Sequence, residues 1–154
     1  MNASLTKPLL RSVCAVLLLQ PLLIATTAAD MPTPLIDKVR NATARYLDIN
    51  VAVAEGFVAA TPCVSGPDTG AMGVHFVLVS RISAGVLNAE QPEALIYEPM
   101  SNGAMRLVGV EFIVLESVWA AKNPGGGVPA LDGNLLNYLG SGSAWRIAAS
   151  LGPS

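Results

Sequence analysis

The stretch "ALIYEPMSNGAMRLVGVEFIVLE", Ala94 to Glu116, reads as two strands around a turn. "ALIYE" is short, apolar and closed by Pro99, the pattern of a brief strand. "SNG" (Ser101–Gly103) is a hairpin signal, because Asn-Gly tolerates the positive φ of a tight turn. "MRLVGVEFIVLE" is the longest strand candidate in the chain. A two-residue turn at Asn102-Gly103 sets Ser101 opposite Ala104 and Glu98 opposite Leu107. Leu107 and Glu111 share parity, so Glu98 and Glu111 fall on one side of the sheet, about 13 Å apart along the strand direction.

Upstream, "VHFVLV" (Val74–Val79) is β-branched and short, a third strand holding the chain's single histidine, His75. "TPCVSGPDTGAMG" before it is a loop by its Pro, Gly, Ser and Asp content, and "SRISAGVLNAEQPE" after it is a connector. From Pro34 to about Gly56 the apolar residues Leu35, Val39, Ala42, Tyr46, Ile49 and Val53 step by four and three, one face of a helix. Thr33 is the expected N-cap, Pro34 the first helical residue and Gly56 the stop. The expected fold is therefore α+β: an N-terminal amphipathic helix packed on a small antiparallel sheet of three or more strands.

The N-terminus has a different character. Lys7 and Arg11 precede "VCAVLLLQPLLIATTAA", which is interrupted by Gln20 and Pro21 and ends in small residues. A basic start, an apolar centre and a small-residue exit describe a signal peptide, with cleavage expected after Ala29. The expected destination is secreted or periplasmic, with no membrane contact after cleavage, and with residues 30–154 as a single domain. Beyond Ala29 the chain carries seven Lys/Arg and eleven Asp/Glu. A net acidic chain with no basic stripe excludes nucleic acid as an expected partner.

The polar residues of the strands are the candidates for chemistry. A buried carboxylate is costly unless paired or bound to a metal. His75, Glu98 and Glu111 are the candidate ligand-binding residues, and His75 with Glu111 the candidate ligands of a divalent metal. A structural or interaction protein, in which these groups only satisfy buried hydrogen bonds, is the second reading. A hydrolase using the carboxylates with His75 as acid and base is the third. No catalytic residue is assigned. Asp68-Thr69-Gly70 matches the aspartic-protease tripeptide but follows Gly66-Pro67, which is turn sequence.

Three motifs together resemble a family of small exported bacterial proteins of uncharacterised function: "GAMGVHF", "PEALIYEP" and "RLVGVEF", with "VAVAEGF" at the helix end. The resemblance covers about Ala42 to Leu115 and implies that His75, Glu98 and Glu111 form one polar cluster on a sheet. That family continues through a further strand bearing a histidine and ends near a cysteine, and this sequence has neither. The resemblance thus implies a truncated or frame-shifted C-terminus. It also implies that Cys63 is a disulfide half whose partner is absent from the chain. The residues themselves carry weak signals after "VWAAKNPGGGVPA", so residues 125–154 are expected to be irregular or poorly ordered.

Overall fold

The computed structural model describes residues 34–66 and 70–152. Among the described residues the chain is α+β: four short helices and an antiparallel sheet whose strands run in the order Val58–Ala59, Gly70–Val77, Ala94–Pro99, Met105–Leu115, Ala144–Ser150, Asn137–Leu139. The expected signal peptide, the Thr33 cap and Asp68-Thr69 lie outside the described residues.

The N-terminal periodicity forms two helices rather than one. α1 (Pro34–Thr43) runs into a 3-10 turn (Ala44–Leu47), and α2 (Ile49–Ala54) restarts after Asp48. The side chain of Asp48 accepts from the Asn50 backbone N–H at 2.9 Å, an N-cap in the middle of the expected helix. A 3-10 turn winds tighter than an α-helix, so the apolar face shifts phase. Val39 and Tyr46 are buried as the spacing predicts, but Ala52 takes the place of Val53, which is half exposed.

β1 (Val58–Ala59) and β2 (Val64–Gly66) both pair with β3 (Gly70–Val77). β3 starts earlier than the hydrophobic run suggests, and it ends at Val77. Leu78 then leads into α3 (Val79–Ala84), a helix inside the expected connector. β4 (Ala94–Pro99) and β5 (Met105–Leu115) form the expected hairpin.

α4 (Glu116–Lys122) follows β5 directly. The remainder corrects the expectation of an irregular tail. β6 (Ala130–Leu131) and β7 (Asn134–Leu135) make a small ribbon. β8 (Asn137–Leu139) and β9 (Ala144–Ser150) join the main sheet, and β9 pairs with β5 from Gly109 to Leu115. β9 escaped notice because "AWRIAAS" is alanine-rich and lacks the β-branched signature of a strand.

One sheet face builds the core. Leu95, Tyr97, Leu107, Val110, Phe112 and Val114 are buried against Val39, Tyr46, Ala52 and Phe57. The Tyr97 hydroxyl donates to the Tyr46 carbonyl at 2.7 Å, tying the sheet to the helical turn, and burial raises its pKa. The hairpin reaches this packing through two offsets. Its loop is one residue longer than expected: the Met100 N–H donates to Ala104 O, which sets Glu98 opposite Arg106. A bulge at Val108 then lets Ile96 face Gly109 while Tyr97 faces Leu107. The bulge turns Leu107 to the core face.

Candidate functional site

His75 and Glu111 lie on the sheet face opposite the core. His75 is opposite Ile96 on β4, and Glu111 is opposite Ala94 on the same strand. Paired residues share a face, and residues two apart along a strand do too. Both side chains therefore project from one side and meet above β4. His75 Nε2 stands 3.6 Å from Glu111 Oε1, with 9% and 3% of the respective side chains exposed.

The surroundings fix both groups. Thr61, in the loop between β1 and β2, accepts from the His75 backbone N–H at 3.3 Å, and its hydroxyl lies 3.1 Å from His75 Nδ1. A hydroxyl that already accepts from one N–H is free to donate its own proton to Nδ1. In the tautomer that accepts it, the ring proton is on Nε2, which faces Glu111 Oε1 at 3.6 Å. Across β5, Arg146 Nη1 is 2.9 Å from the same Oε1. The guanidinium supplies charge there without hydrogen-bond alignment, so His75 Nε2 and Glu111 Oε1 are both buried with no hydrogen-bond partner. Arg146, from β9, is the residue that sequence reasoning missed. Only recognition of "AWRIAAS" as a strand would have placed it beside Glu111.

Glu98 is not brought into this cluster. It shares the face with Glu111, because the longer turn and the Val108 bulge are two one-residue offsets that cancel. It nevertheless sits four residues along β4 from Ala94, at the exposed end, where its carboxylate accepts from Arg106 Nε at 3.1 Å. In place of the His75–Glu98–Glu111 cluster that the resemblance implies, the structure gathers His75, Glu111 and Arg146, with Glu98 about 13 Å from Glu111 along the strand direction. The hydrolase reading uses the carboxylates with His75 as acid and base, and of these the structure sets Glu111 beside His75 and Glu98 at the exposed end of β4. Among the described residues no three His, Cys, Asp or Glu side chains gather as metal ligands. Cys63 is exposed and unpaired among the described residues.

A second buried carboxylate lies behind the pair. Glu93 is 1% exposed and precedes β4. Its backbone N–H donates to Glu111 O at 3.1 Å, and its Oε2 accepts from the Ile113 N–H at 3.0 Å. The side chain thereby continues the β4–β5 ladder one step past the strand. Burial pushes its carboxyl up to about 7, against the lowering effect of the Ile113 and Glu93 backbone N–H groups near it and of Arg81.

No family model, curated protein or solved structure matches this chain.

Proposed function

We propose that this chain is an exported binding protein whose ligand is a divalent cation held between His75 and Glu111. The observation that supports it is the facing pair of buried atoms, His75 Nε2 and Glu111 Oε1, 3.6 Å apart, neither in a hydrogen bond and the oxygen held only by its ion pair with Arg146. Unsatisfied buried polar atoms call for an explanation, and an ion is one. Zinc bonds imidazole nitrogen and carboxylate oxygen at about 2.0–2.2 Å, and at this span it would subtend roughly 120° between them. Two protein ligands leave the remaining positions to water or to a small molecule. Arg146 is the resident counter-cation, and entry of the ion requires its partly exposed side chain to swing out toward solvent. Export is supported by the basic and apolar N-terminal sequence. The three joint motifs support membership of the resembled family of small exported bacterial proteins.

The test is a thermal melt of the protein produced from the full chain, with and without zinc chloride. A bound ion raises Tm by mass action. The rise should vanish in His75→Ala and in Glu111→Gln, and should grow in Arg146→Ala, which removes the competing cation. An unmoved Tm in the parent protein overturns the proposal.

The structural reading has its own support in the Thr61 contact, which directs the Nε2 proton at Glu111. On that reading the pair closes directly, and Arg146→Ala destabilises the fold without creating any response to metal.

A further inference from the structure

Away from the His75–Glu111 face, α4 and the end of the sheet enclose an aromatic cleft. The chain has two tryptophans, Trp119 on α4 and Trp145 on β9, and both line one cleft of about 230 Å³. Glu116, Asn123 and the Gly125-Gly126-Gly127 run complete its walls. Each wall is held in place. Trp119 Nε1 donates to Gly127 O at 3.0 Å, which pins the glycine run at the edge of the indole. Trp145 packs on Tyr138 with ring centroids 4.9 Å apart and planes inclined at 55°. The Tyr138 hydroxyl donates to Glu116 Oε2 at 2.7 Å, leaving the other oxygen of that exposed carboxylate unengaged. The Glu116 backbone N–H donates to the carbonyl of Ser143, a non-glycine residue at φ +46°. Ser143 is the C-cap of the 3-10 turn Gly140–Gly142, and its left-handed conformation ends that turn beside Glu116.

The lining chemistry selects the occupant. Glu116 is the one charged residue of the cleft among those described, so an anion is repelled. The face of an indole carries negative potential and attracts a cation, most strongly one that sheds water easily. The volume lies below the roughly 300–1,000 Å³ of pockets for drug-sized ligands, so the fit is to a small headgroup. We propose that this cleft binds a quaternary ammonium group through Trp119, Trp145 and the Glu116 carboxylate. The ligand is a trimethylammonium compound, free or as a lipid headgroup. Neither the location nor the chemistry depends on His75 or Glu111.

Because both tryptophans line the cleft, intrinsic fluorescence of the full chain reports occupancy with no background indole. The probe is choline chloride, and the control is 3,3-dimethyl-1-butanol, the same shape without the charge. The expected result is a saturable change with choline below about 10 mM and binding at least about tenfold weaker for the neutral isostere. Glu116→Gln should weaken choline several-fold. Tyr138→Phe, which keeps the ring and frees the carboxylate, should not weaken it. Phosphatidylcholine vesicles form a second arm: a response at lower total choline than the free compound requires assigns a lipid headgroup, and a response to free choline alone assigns a solute. Equal responses to choline and its neutral isostere, or no saturable response to choline or vesicles, would overturn the proposal.

Discussion

His75 and Glu111 are on strands that do not touch, yet their side chains meet across β4 above Ala94 and Ile96. The small side chain opposite Glu111 leaves the space in which the carboxylate leans toward the imidazole. Ala94 is fully buried. Ala94→Val adds two methyl groups at this crossing and should part the pair while leaving every polar group in place. The expected outcome is loss of the zinc-dependent rise in Tm, with overpacking of about 1–3 kcal/mol. A zinc response equal to the parent's would mean that the ion does not use both residues.

Removing Glu111 tests the same pair energetically. Glu111→Gln keeps the shape but withdraws the charge that Arg146 and the His75 proton face. A buried group left with the wrong partner costs about 1–3 kcal/mol. Urea denaturation of the variant against the parent, without metal, measures it.

Glu93 makes stability depend on pH in the direction opposite to ordinary ion-paired carboxylates. Its carboxyl titrates near 7 in the folded chain and near 4.5 when unfolded. Between those values the folded state binds the extra proton, so this contribution is complete below about pH 4.5 and is lost as pH rises through 7. Glu93→Gln holds the group neutral. Its stability relative to the parent should therefore increase from pH 4.5 to pH 7.5 by on the order of 2 kcal/mol. Denaturant melts at the two pH values check the sign, and a difference that shrinks with rising pH would contradict it.

Gly73 marks where β3 passes from β2 to β4. Its φ is +88°, and an added Cβ would strike the Tyr97 carbonyl. Gly73→Ala meets both a disfavoured backbone region and fixed backbone atoms, so a loss of about 3 kcal/mol or more is expected. Circular dichroism melts would reveal it, and a variant as stable as the parent would refute this account of the strand crossing.

The parts of the fold legible in the sequence are those with strong local signals. The hairpin 94–115 declares itself through apolar strands around Asn-Gly, and the helical start through its four-three spacing. What stayed hidden has physical reasons. Asp48 caps a new helix inside a continuous apolar stripe. "SRISA" and "ESVWAAK" are too short for periodicity to separate from loop. β9 is alanine-rich and gains its strand state from pairing with β5. The candidate site was half legible for the same reasons: His75 and Glu111 stand out as polar residues in apolar runs, whereas Arg146 waits on β9. Glu93 follows Pro92 in what reads as a connector, and nothing local announces that its side chain extends a ladder.

The most direct measurement uses the fact that the chain has one histidine. In the full chain labelled with ¹⁵N at histidine, the two ring-nitrogen resonances belong to His75 alone. Without metal, the Thr61 contact predicts the tautomer with its proton on Nε2. Adding zinc chloride should strip that proton and shift the Nε2 resonance to a metal-bound position, in Arg146→Ala at lower zinc than in the parent. A proton that stays on Nε2, with neither resonance moving as zinc is added, would contradict the cation site and leave His75–Glu111 as a buried structural pair.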